Sequence, residues 1–230
     1  MAVSAKPAAN LDIRELVTGT GTFGPAEIRS LTHALASSSG AHRDVRGAVR
    51  ELEQQSDRSP AASVRLGVCQ YLLGRYREAI DTLRAADGGA LALYHQGLSH
   101  AALESFDKAK EAFEAAKKSG YDAAVCGAAA ADALRAAGRL DEAARALEAM
   151  SSGKEGETAR QSADFWAAQG ALFADQGRPA AEVAESYEKA VAIDPGHSHA
   201  LFALGVLNDR AGDDERALAC YEKSLERYPA

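Results

Sequence analysis

The chain has 230 residues and a formal net charge of −7; 47% of its residues are hydrophobic and only 6% are aromatic. This acidic balance argues against nucleic acid as a direct partner, because neutralising phosphates requires clustered Lys and Arg. No uninterrupted stretch of roughly 18 apolar residues is present, so we expect no membrane span. These features favour a soluble, cytoplasmic protein.

The three cysteines, Cys69, Cys126 and Cys220, are far apart in the chain and form no Cys-x-x-Cys pair. We therefore expect neither disulfides nor a zinc site, and this cysteine usage favours a reducing compartment. The N-terminal residues also lack the apolar stretch of a secretory signal peptide. The three thiols are expected to behave as small buried hydrophobic groups.

The first 24 residues show weak periodicity and end in a glycine-rich stretch. We expect a flexible leader over residues 1–24 and a helical region over residues 25–230. Pro25 favours a helix start, because a proline at the first helical position loses no hydrogen bond. The sequence therefore predicts that regular structure begins at about this proline.

The glycine-rich stretch also fits a dinucleotide-binding pattern, Gly19-x-Gly21-x-x-Gly24, with Asp44 about 20 residues further on. That site needs a preceding buried strand and a βαβ unit, whereas helical sequence follows here. We therefore interpret the stretch as a turn before a helix and expect no nucleotide cofactor.

Most of the remaining chain repeats one pattern, seen best in LGVCQYLLGRYREAIDTLRAA from Leu66 and LGVLNDRAGDDERALACYEKS from Leu204. Aligning one small residue in five such stretches gives spacings of 30, 34, 39 and 35 residues. A period near 34 is typical of helical-hairpin repeats. The aligned residues are Gly67, Gly97, Ala131, Gly170 and Gly205.

The pattern divides into six units, of which the first is degenerate. A glycine between the two helices of most units is expected to end the first helix in a left-handed conformation. The irregular segment from Ser151 to Thr158 predicts a flexible loop and a looser contact between the fourth and fifth units. The glycines are Gly74, Gly138, Gly177 and Gly212. The units cover residues 29–62, 60–90, 90–122, 124–160, 163–197 and 198–230.

This pattern resembles the tetratricopeptide repeat (TPR) family, which combines a small residue in the first helix with an aromatic residue and Ala in the second and a closing Pro. The resemblance implies an all-α, right-handed solenoid of about five clear hairpins and one degenerate N-terminal hairpin. Ala131 and Leu134 depart from it, so the fourth unit is expected to pack less tightly. The matching residues are Trp166, Gly170, Phe173, Tyr187, Ala190 and Pro195; Leu201, Leu204, Gly205, Ala217, Tyr221 and Pro229; and Gly97, Phe106, Ala109, Phe113 and Ala116.

The resemblance also implies non-catalytic binding of a protein partner, as a peptide or helix, along a concave surface lined mainly by the first helix of each hairpin. The Lys/Asn/Arg clamp of chaperone-binding members is absent, because its positions hold Val64, Val68, Tyr94, Ala128 and Ala129. An alternative is that the groove tyrosines only pack between helices. The implied groove residues are Arg65, Val68, Tyr71, Leu72, Tyr94, His95, Leu98, Asp132, Arg135, Ala171, Asp175, Phe202, Val206 and Asp209.

The last predicted helix carries Leu218, Tyr221 and Leu225 on one face, and no polar closing helix follows it. Terminal repeats normally need a solvating cap. We expect either a homodimer through this C-terminal face or a longer protein. The stretch from Pro60 to Cys69, with Asp87-Gly-Gly-Ala-Leu-Ala downstream, also resembles bacterial TPR arrays that precede a domain similar to the C-terminal domain of RNA polymerase α. That likeness implies a regulatory, transcription-associated array.

Candidate catalytic chemistry is sparse. His197 and His199 form a His-x-His with Cys220 nearby in the pattern, but a metal site needs three or four converging ligands. We expect surface loop histidines, with no metal, no cofactor and no catalytic residues. Three hypotheses remain: a peptide-binding adaptor, a self-assembling scaffold and, least favoured, an enzyme.

Overall fold

The computed structural model describes residues 11–86, 89–152 and 155–227. Within these residues the chain is an all-α solenoid without strands, and no helix has both the length and the apolar composition needed to cross a membrane. The helices are α1 (Ile13–Thr18), α2 (Pro25–Ser37), α3 (Ser39–Glu53), α4 (Pro60–Leu72), α5 (Tyr76–Ala85), α6 (Ala90–Ala102), α7 (Phe106–Lys118), α8 (Ala123–Ala136), α9 (Leu140–Ser151), α10 (Glu155–Arg160), α11 (Ala163–Asp175), α12 (Ala180–Ile193), α13 (Ser198–Ala211) and α14 (Asp214–Arg227).

Five hairpins form the body of the solenoid, and they are numbered second to sixth after the sequence units: α4 with α5, α6 with α7, α8 with α9, α11 with α12, and α13 with α14. The second helix of a hairpin also packs on the first helix of the next, as α5 does on α6 and α7 on α8. First helices stack on one another as well, α4 on α6 and α8 on α11. Because each hairpin buries its apolar face on its neighbours, the core is continuous along the chain.

Close helix approach explains the repeated small residue. A Cβ atom added to Gly97 would lie 2.5 Å from the Phe113 ring, and one added to Gly205 would lie 2.5 Å from the Tyr221 ring. In the fourth hairpin the small residue is Ala131, and its core contains Leu147 in place of an aromatic ring. Ala131 and Leu134 are both 2% exposed and lie in the core, but α8 and α9 make fewer close contacts with each other than the two helices of any other of these hairpins, which agrees with the expected less tight packing. Ala131 is larger than the glycine of the other hairpins, and Leu147 is smaller than Phe113 or Tyr221, so the two changes in volume partly offset each other.

The turns inside the hairpins follow the sequence prediction. Gly74, Gly138, Gly177 and Gly212 have φ angles of 77°, 73°, 68° and 78°. The third hairpin differs, because Glu104 adopts a φ of 56° in its turn. A side chain is disfavoured in this left-handed region, so the α6–α7 turn carries a local conformational cost.

The segment before α2 is partly helical, so the prediction of a flexible leader is wrong for residues 11–24. Helix α1 begins after Asp12, whose Oδ1 accepts from the Glu15 N–H at 2.9 Å. Its two buried residues, Ile13 and Val17, join a core with α3 and α4. A six-residue helix is too short to show a clear period, and its stability comes from this packing. Residues 1–10 lie outside the described part.

The segment after α9 is also more ordered than its composition indicates. Helix α10 lies there, and Ala159 is buried in a cluster with Leu147 and Phe165. The indole N–H of Trp166 donates to the Arg160 carbonyl at 2.8 Å, which ties α10 to α11. The fourth and fifth hairpins therefore share one core, and the expected looser contact between them is wrong. Residues 153–154, 87–88 and 228–230, on which other sequence predictions fall, are not described.

Candidate functional site

The concave side of the solenoid holds two adjoining cavities of about 1010 and 420 Å³, which we call the groove. Helices α2, α4, α6, α8 and α11 line it, together with the turns that precede α8 and α13. Both cavities border the same five residues, so they form one surface. These are Tyr94, Leu98, Val125, Asp164 and His197.

Aromatic rings cover the middle of the groove. Tyr94 stacks on Tyr121, with ring centroids 4.3 Å apart and an interplanar angle of 11°, and also contacts Phe113 at 5.5 Å. Tyr71 lies 5.8 Å from Tyr76 and borders the larger cavity with Tyr94. Each predicted groove tyrosine therefore both packs between helices and faces the cavity.

His95 lies between these rings as a buried wall residue. It is 3% exposed, and its Nδ1 donates to the Leu91 carbonyl at 2.9 Å. Its ring stands edge-on to Tyr71 and Tyr94 at 5.7 and 5.5 Å. Burial lowers the pKa of the imidazole from 6.5 to about 4, so His95 is neutral at physiological pH. It shapes the groove without adding charge.

Arg65 was expected to line the groove, but its guanidinium group is hydrogen-bonded to the N-terminal segment. Its Nη1 donates to the carbonyl oxygens of Leu16, at 3.1 Å, and Gly19, and its Nη2 donates to Gly21. The guanidinium carbon lies 5.3 Å from the Phe23 ring centroid. At 4% exposure, Arg65 is not accessible to a partner. Two of these carbonyls stand at the C-terminal end of α1, where the helix dipole favours a cation.

Val68 and Ala171 were also expected to line the groove, but both are buried. Val68 is fully buried in a cluster with Ile28 of α2, Leu83 and Ala92. Ala171 is 5% exposed and packs in the core of the fifth hairpin. Both occupy first-helix positions that face the concave side in the repeat pattern, but neighbouring helices cover them. Leu72 and Leu98 do border the groove, as predicted from the sequence.

An ion-pair network lies at the other end of the groove. Arg135 contacts Asp132 at 3.2 Å and, across to the next hairpin, Asp175 at 2.7 Å. Burial raises the pKa of Asp132, and the charge and hydrogen bond of Arg135 oppose that shift. Asp132 and Arg135 border the smaller cavity. Asp175 does not border it but contacts Arg135. The network joins α8 to α11 and holds this wall in place.

Helix α13 borders the described cavities only through its first turn, at Ser198 and His199. Its predicted groove residues Phe202, Val206 and Asp209 do not border either cavity. Phe202 is 55% exposed, with its ring 5.7 Å from Tyr221 of α14. Leu218 and Leu225 are also exposed, at 58% and 48%. These side chains make an apolar C-terminal face beside the groove.

Several groove residues were missed because they lie in turns. Tyr121 and Asp122 precede α8, and His197 precedes α13. Asp122 caps α8 by accepting from the N–H groups of Ala124 and Val125, both at 2.9 Å. The groove prediction used positions inside first helices, whereas these turns project into the same space. The capping Asp after an aromatic residue was the available signal.

His197 lies in the loop before α13, as expected, but its side chain is mostly covered, whereas His199 is exposed, as expected, but belongs to the first turn of α13. The His197 side chain is 14% exposed, its Nδ1 accepts from the Ala200 N–H at 3.2 Å, and its Nε2 lies 3.4 Å from an Asp164 oxygen. His199 stands edge-on to Tyr187 at 6.1 Å, and partial burial lowers its pKa. In the described ranges no three His, Cys, Asp or Glu side chains converge on a metal-binding geometry.

Two of the three cysteines lie in the core, as expected from the sequence. Cys69 and Cys126 are buried, which raises their thiol pKa values to about 12 and about 11, while Cys220 is only half-buried.

In the glycine-rich stretch, the Gly24 N–H donates to the Glu27 carboxylate at 2.9 Å at the start of α2. No strand precedes this turn in the described residues, so the nucleotide pattern lacks its structural setting.

Comparison with known proteins identifies the class. Models of the tetratricopeptide repeat match residues 33–92, 128–198 and 184–230, and a second such model matches residues 91–119. The chain therefore belongs to the tetratricopeptide repeat family. A search of curated protein sequences gives no significant match.

Solved structures share the fold. The TPR protein TTC0263 of Thermus thermophilus aligns at 24% identity over 74% of this chain and 92% of its own, with a TM-score of 0.58. The anaphase-promoting complex assembly Cut9–Hcn1 aligns at 11% identity over 88% of this chain and 39% of that one, with a TM-score of 0.64. MamA of MSR-1 aligns at 19% identity over 73% and 95%, with a TM-score of 0.43.

Proposed function

We propose that this chain is a non-catalytic adaptor that binds a peptide or helix of a protein partner in the groove. The observation that carries the proposal is the continuous concave cavity of about 1010 Å³, bordered by Phe23, Tyr71, Tyr94 and Tyr121. Repeat solenoids use extended concave surfaces of this kind for binding. Partly buried aromatic side chains supply much of the energy of protein interfaces.

The chemistry of the groove favours binding over catalysis. Asp164 and His197 form a carboxylate–imidazole pair, but the second ring nitrogen of His197 accepts from the Ala200 backbone. Within the described residues no hydroxyl or thiol hydrogen-bonds to that imidazole, so the pair has no nucleophile to activate. His95 is buried, and Arg135 is paired with Asp132 and Asp175. An enzyme remains the weaker hypothesis.

Affinity capture from lysate of the source organism tests the adaptor function, with bound proteins identified by mass spectrometry. Val125→Arg places a long charged side chain where the two cavities meet, whereas Ile193→Arg makes the same kind of change at an exposed position outside them. We expect a partner to be retained by the wild type and by Ile193→Arg and lost by Val125→Arg. Retention by all three forms would contradict binding in the groove. Tyr94 is unsuitable for this test because its ring packs against Phe113.

Self-association through the C-terminal face is a second candidate, favoured by the exposure of Phe202, Leu218 and Leu225. Ile80 holds the same position relative to Gly67 that Leu218 holds relative to Gly205, and Ile80 is buried. A second copy would cover Leu218 in the same way. Sedimentation velocity should then show a dimer that becomes monomeric with Leu218→Glu but not with Ile193→Glu. A monomeric wild type would end this candidate.

The bacterial, cytoplasmic and transcription-linked setting indicated by the sequence belongs to the proposal as well. The support is the cysteine usage and the likeness of the Pro60 to Cys69 stretch to arrays that precede an RNA polymerase α-like domain. Recovery of RNA polymerase in the capture experiment, lost with Val125→Arg, would support this setting. Recovery of unrelated partners would contradict it.

A further inference from the structure

The two cavities of the groove meet at Asp164, in the first turn of α11. Its side chain is 50% exposed, and within the described residues its ion-pair contact is with His197, 3.4 Å away. Because the His197 Nδ1 accepts from the Ala200 N–H, the ring proton sits on Nε2 and points to Asp164. An imidazole whose Nδ1 accepts a hydrogen bond is neutral and does not cancel the charge of a neighbouring carboxylate. Asp164 therefore presents a negative charge to the open groove.

The other charges around the cavities leave this one uncompensated. The bordering carboxylates are those of Asp122, Asp132, Asp164 and Asp194, against the guanidinium groups of Arg29 and Arg135. Arg135 is already bound between Asp132 and Asp175. Arg29 lies on the exposed side of α2. The part of the groove between α6 and α11 is therefore net negative.

Aromatic faces lie beside the same carboxylate. Asp164 borders the larger cavity together with Tyr94 and Tyr121, whose rings stack on each other. Burial raises the pKa of Tyr121 to about 12; the charges of Asp122 and Asp164 add to that shift, and the charge of Arg29 opposes it. A carboxylate next to aromatic faces is a setting that favours a Lys or Arg side chain.

Building on the proposed groove function, we propose that its partner segment carries a Lys or Arg beside an aliphatic or aromatic anchor. The cation pairs with Asp164 next to Tyr94 and Tyr121, and the anchor packs on Leu98 and Val125. Charge complementarity selects this occupant, because an acidic or C-terminal carboxylate ligand would meet like charge at Asp164.

The test uses the full chain and a phage-displayed library of random peptides of about 16 residues. One selected peptide is then synthesised, and its Kd is measured by fluorescence anisotropy at about 50 mM and about 300 mM salt. We expect selected peptides to be enriched in Lys or Arg next to apolar residues, and their affinity to fall with salt. Asp164→Asn should weaken binding about fivefold and Asp164→Lys about twentyfold.

Glu188→Lys is the matched control, because Glu188 is exposed on α12 of the same hairpin and borders neither cavity. It should change the Kd less than about twofold. Asp164→Asn keeps the side-chain size, so the groove should stay intact, which circular dichroism checks.

Two outcomes separate this inference from the function on which it rests. Peptides that bind the groove, as shown by loss with Val125→Arg, but lack basic residues or ignore Asp164→Asn would overturn the basic-partner inference alone. Peptides that bind equally well to Val125→Arg would overturn the groove function itself. Failure to select any peptide tighter than about 1 mM would do the same.

Discussion

The concave surface at α4 and the concave surface from α6 to α13 are built from the same repeat, yet one is closed and the other open. Val68 and Val206 make the contrast clear, because each follows the glycine of its first helix. Val68 is fully buried beneath Ile28 of α2, whereas Val206 is half-buried on α13. A position in the repeat therefore does not decide whether a side chain is accessible. Another segment of the chain decides it.

The closed region shows how this surface accommodates a chain segment. Backbone carbonyls of the glycine-rich stretch meet Arg65, Phe23 lies against its guanidinium group, and Ile28 fills the space over Val68. Polar backbone contacts are combined with two apolar anchors. The open region offers the same kind of apolar and aromatic surface but the opposite charge, because it is bordered by Asp164, whereas Arg65 holds the closed end. The two ends would thus select different occupants.

Removing Arg65 should give the largest effect and should remove the difference between the closed and the open region. Arg65→Met keeps most of the side-chain volume but leaves the carbonyls of Leu16, Gly19 and Gly21 without their donor. We expect the free energy of unfolding to fall by about 3 kcal/mol, measured by urea denaturation. Arg84→Met, at a pair with Asp81 in which Arg84 is 67% exposed, should change it by less than about 0.5 kcal/mol. Equal losses would mean that Arg65 does not hold the closed end.

A matched pair of truncations sharpens the comparison directly. Val68→Ala removes two buried methyl groups and should cost about 2 kcal/mol, because a cavity remains in a packed cluster. Val206→Ala makes the same chemical change at the equivalent open position and should cost less than about 1 kcal/mol. Thermal unfolding of both variants measures the difference. A loss at Val206 as large as that at Val68 would show that α13 is covered too.

Lowering the pH should destabilise the protein through His95, which lies between the two regions. Its folded-state pKa of about 4 lies below the ordinary 6.5, so the unfolded chain binds more protons between these values. Stability contributed by neutral His95 is present above pH 6.5 and is lost as the pH falls towards 4. From pH 7 to pH 5 we expect a loss of roughly 1–2 kcal/mol. In His95→Gln this loss should shrink, and an unchanged pH dependence would assign it to other groups.

The smallest effect concerns one turn of the open region. Glu104 has a φ of 56° where the other hairpins have glycine. Glu104→Gly should raise the free energy of unfolding by about 1 kcal/mol, because glycine adopts this conformation without strain. Gly138→Ala is the reverse change and should lower it by about the same amount. Urea denaturation of both variants reads the result, and destabilisation by Glu104→Gly would show that its side chain contributes more than its backbone costs.

Much of the solenoid could be predicted from the sequence because each repeat contact is local. Gly97 and Phe113, or Gly205 and Tyr221, are one hairpin apart, so a close approach of two helices leaves its mark at a fixed spacing. The left-handed turns at Gly74 and Gly138 follow for the same reason. Tyr71, Tyr94 and Leu98 border the same cavity because first helices of successive hairpins stack.

The sequence by itself determined the repeated hairpin, its turns and the concave orientation of its first helices, since these depend on neighbours along the chain. Tertiary structure decided which concave positions stay open. The contact between Gly19 and Arg65 joins segments 46 residues apart, and no repeat pattern encodes it. The same holds for α10, which packs between the fourth and fifth hairpins, and for Tyr121 and Asp164, which border one cavity because α8 and α11 stack. Burial is a property of the packed chain, and contacts between distant segments set it.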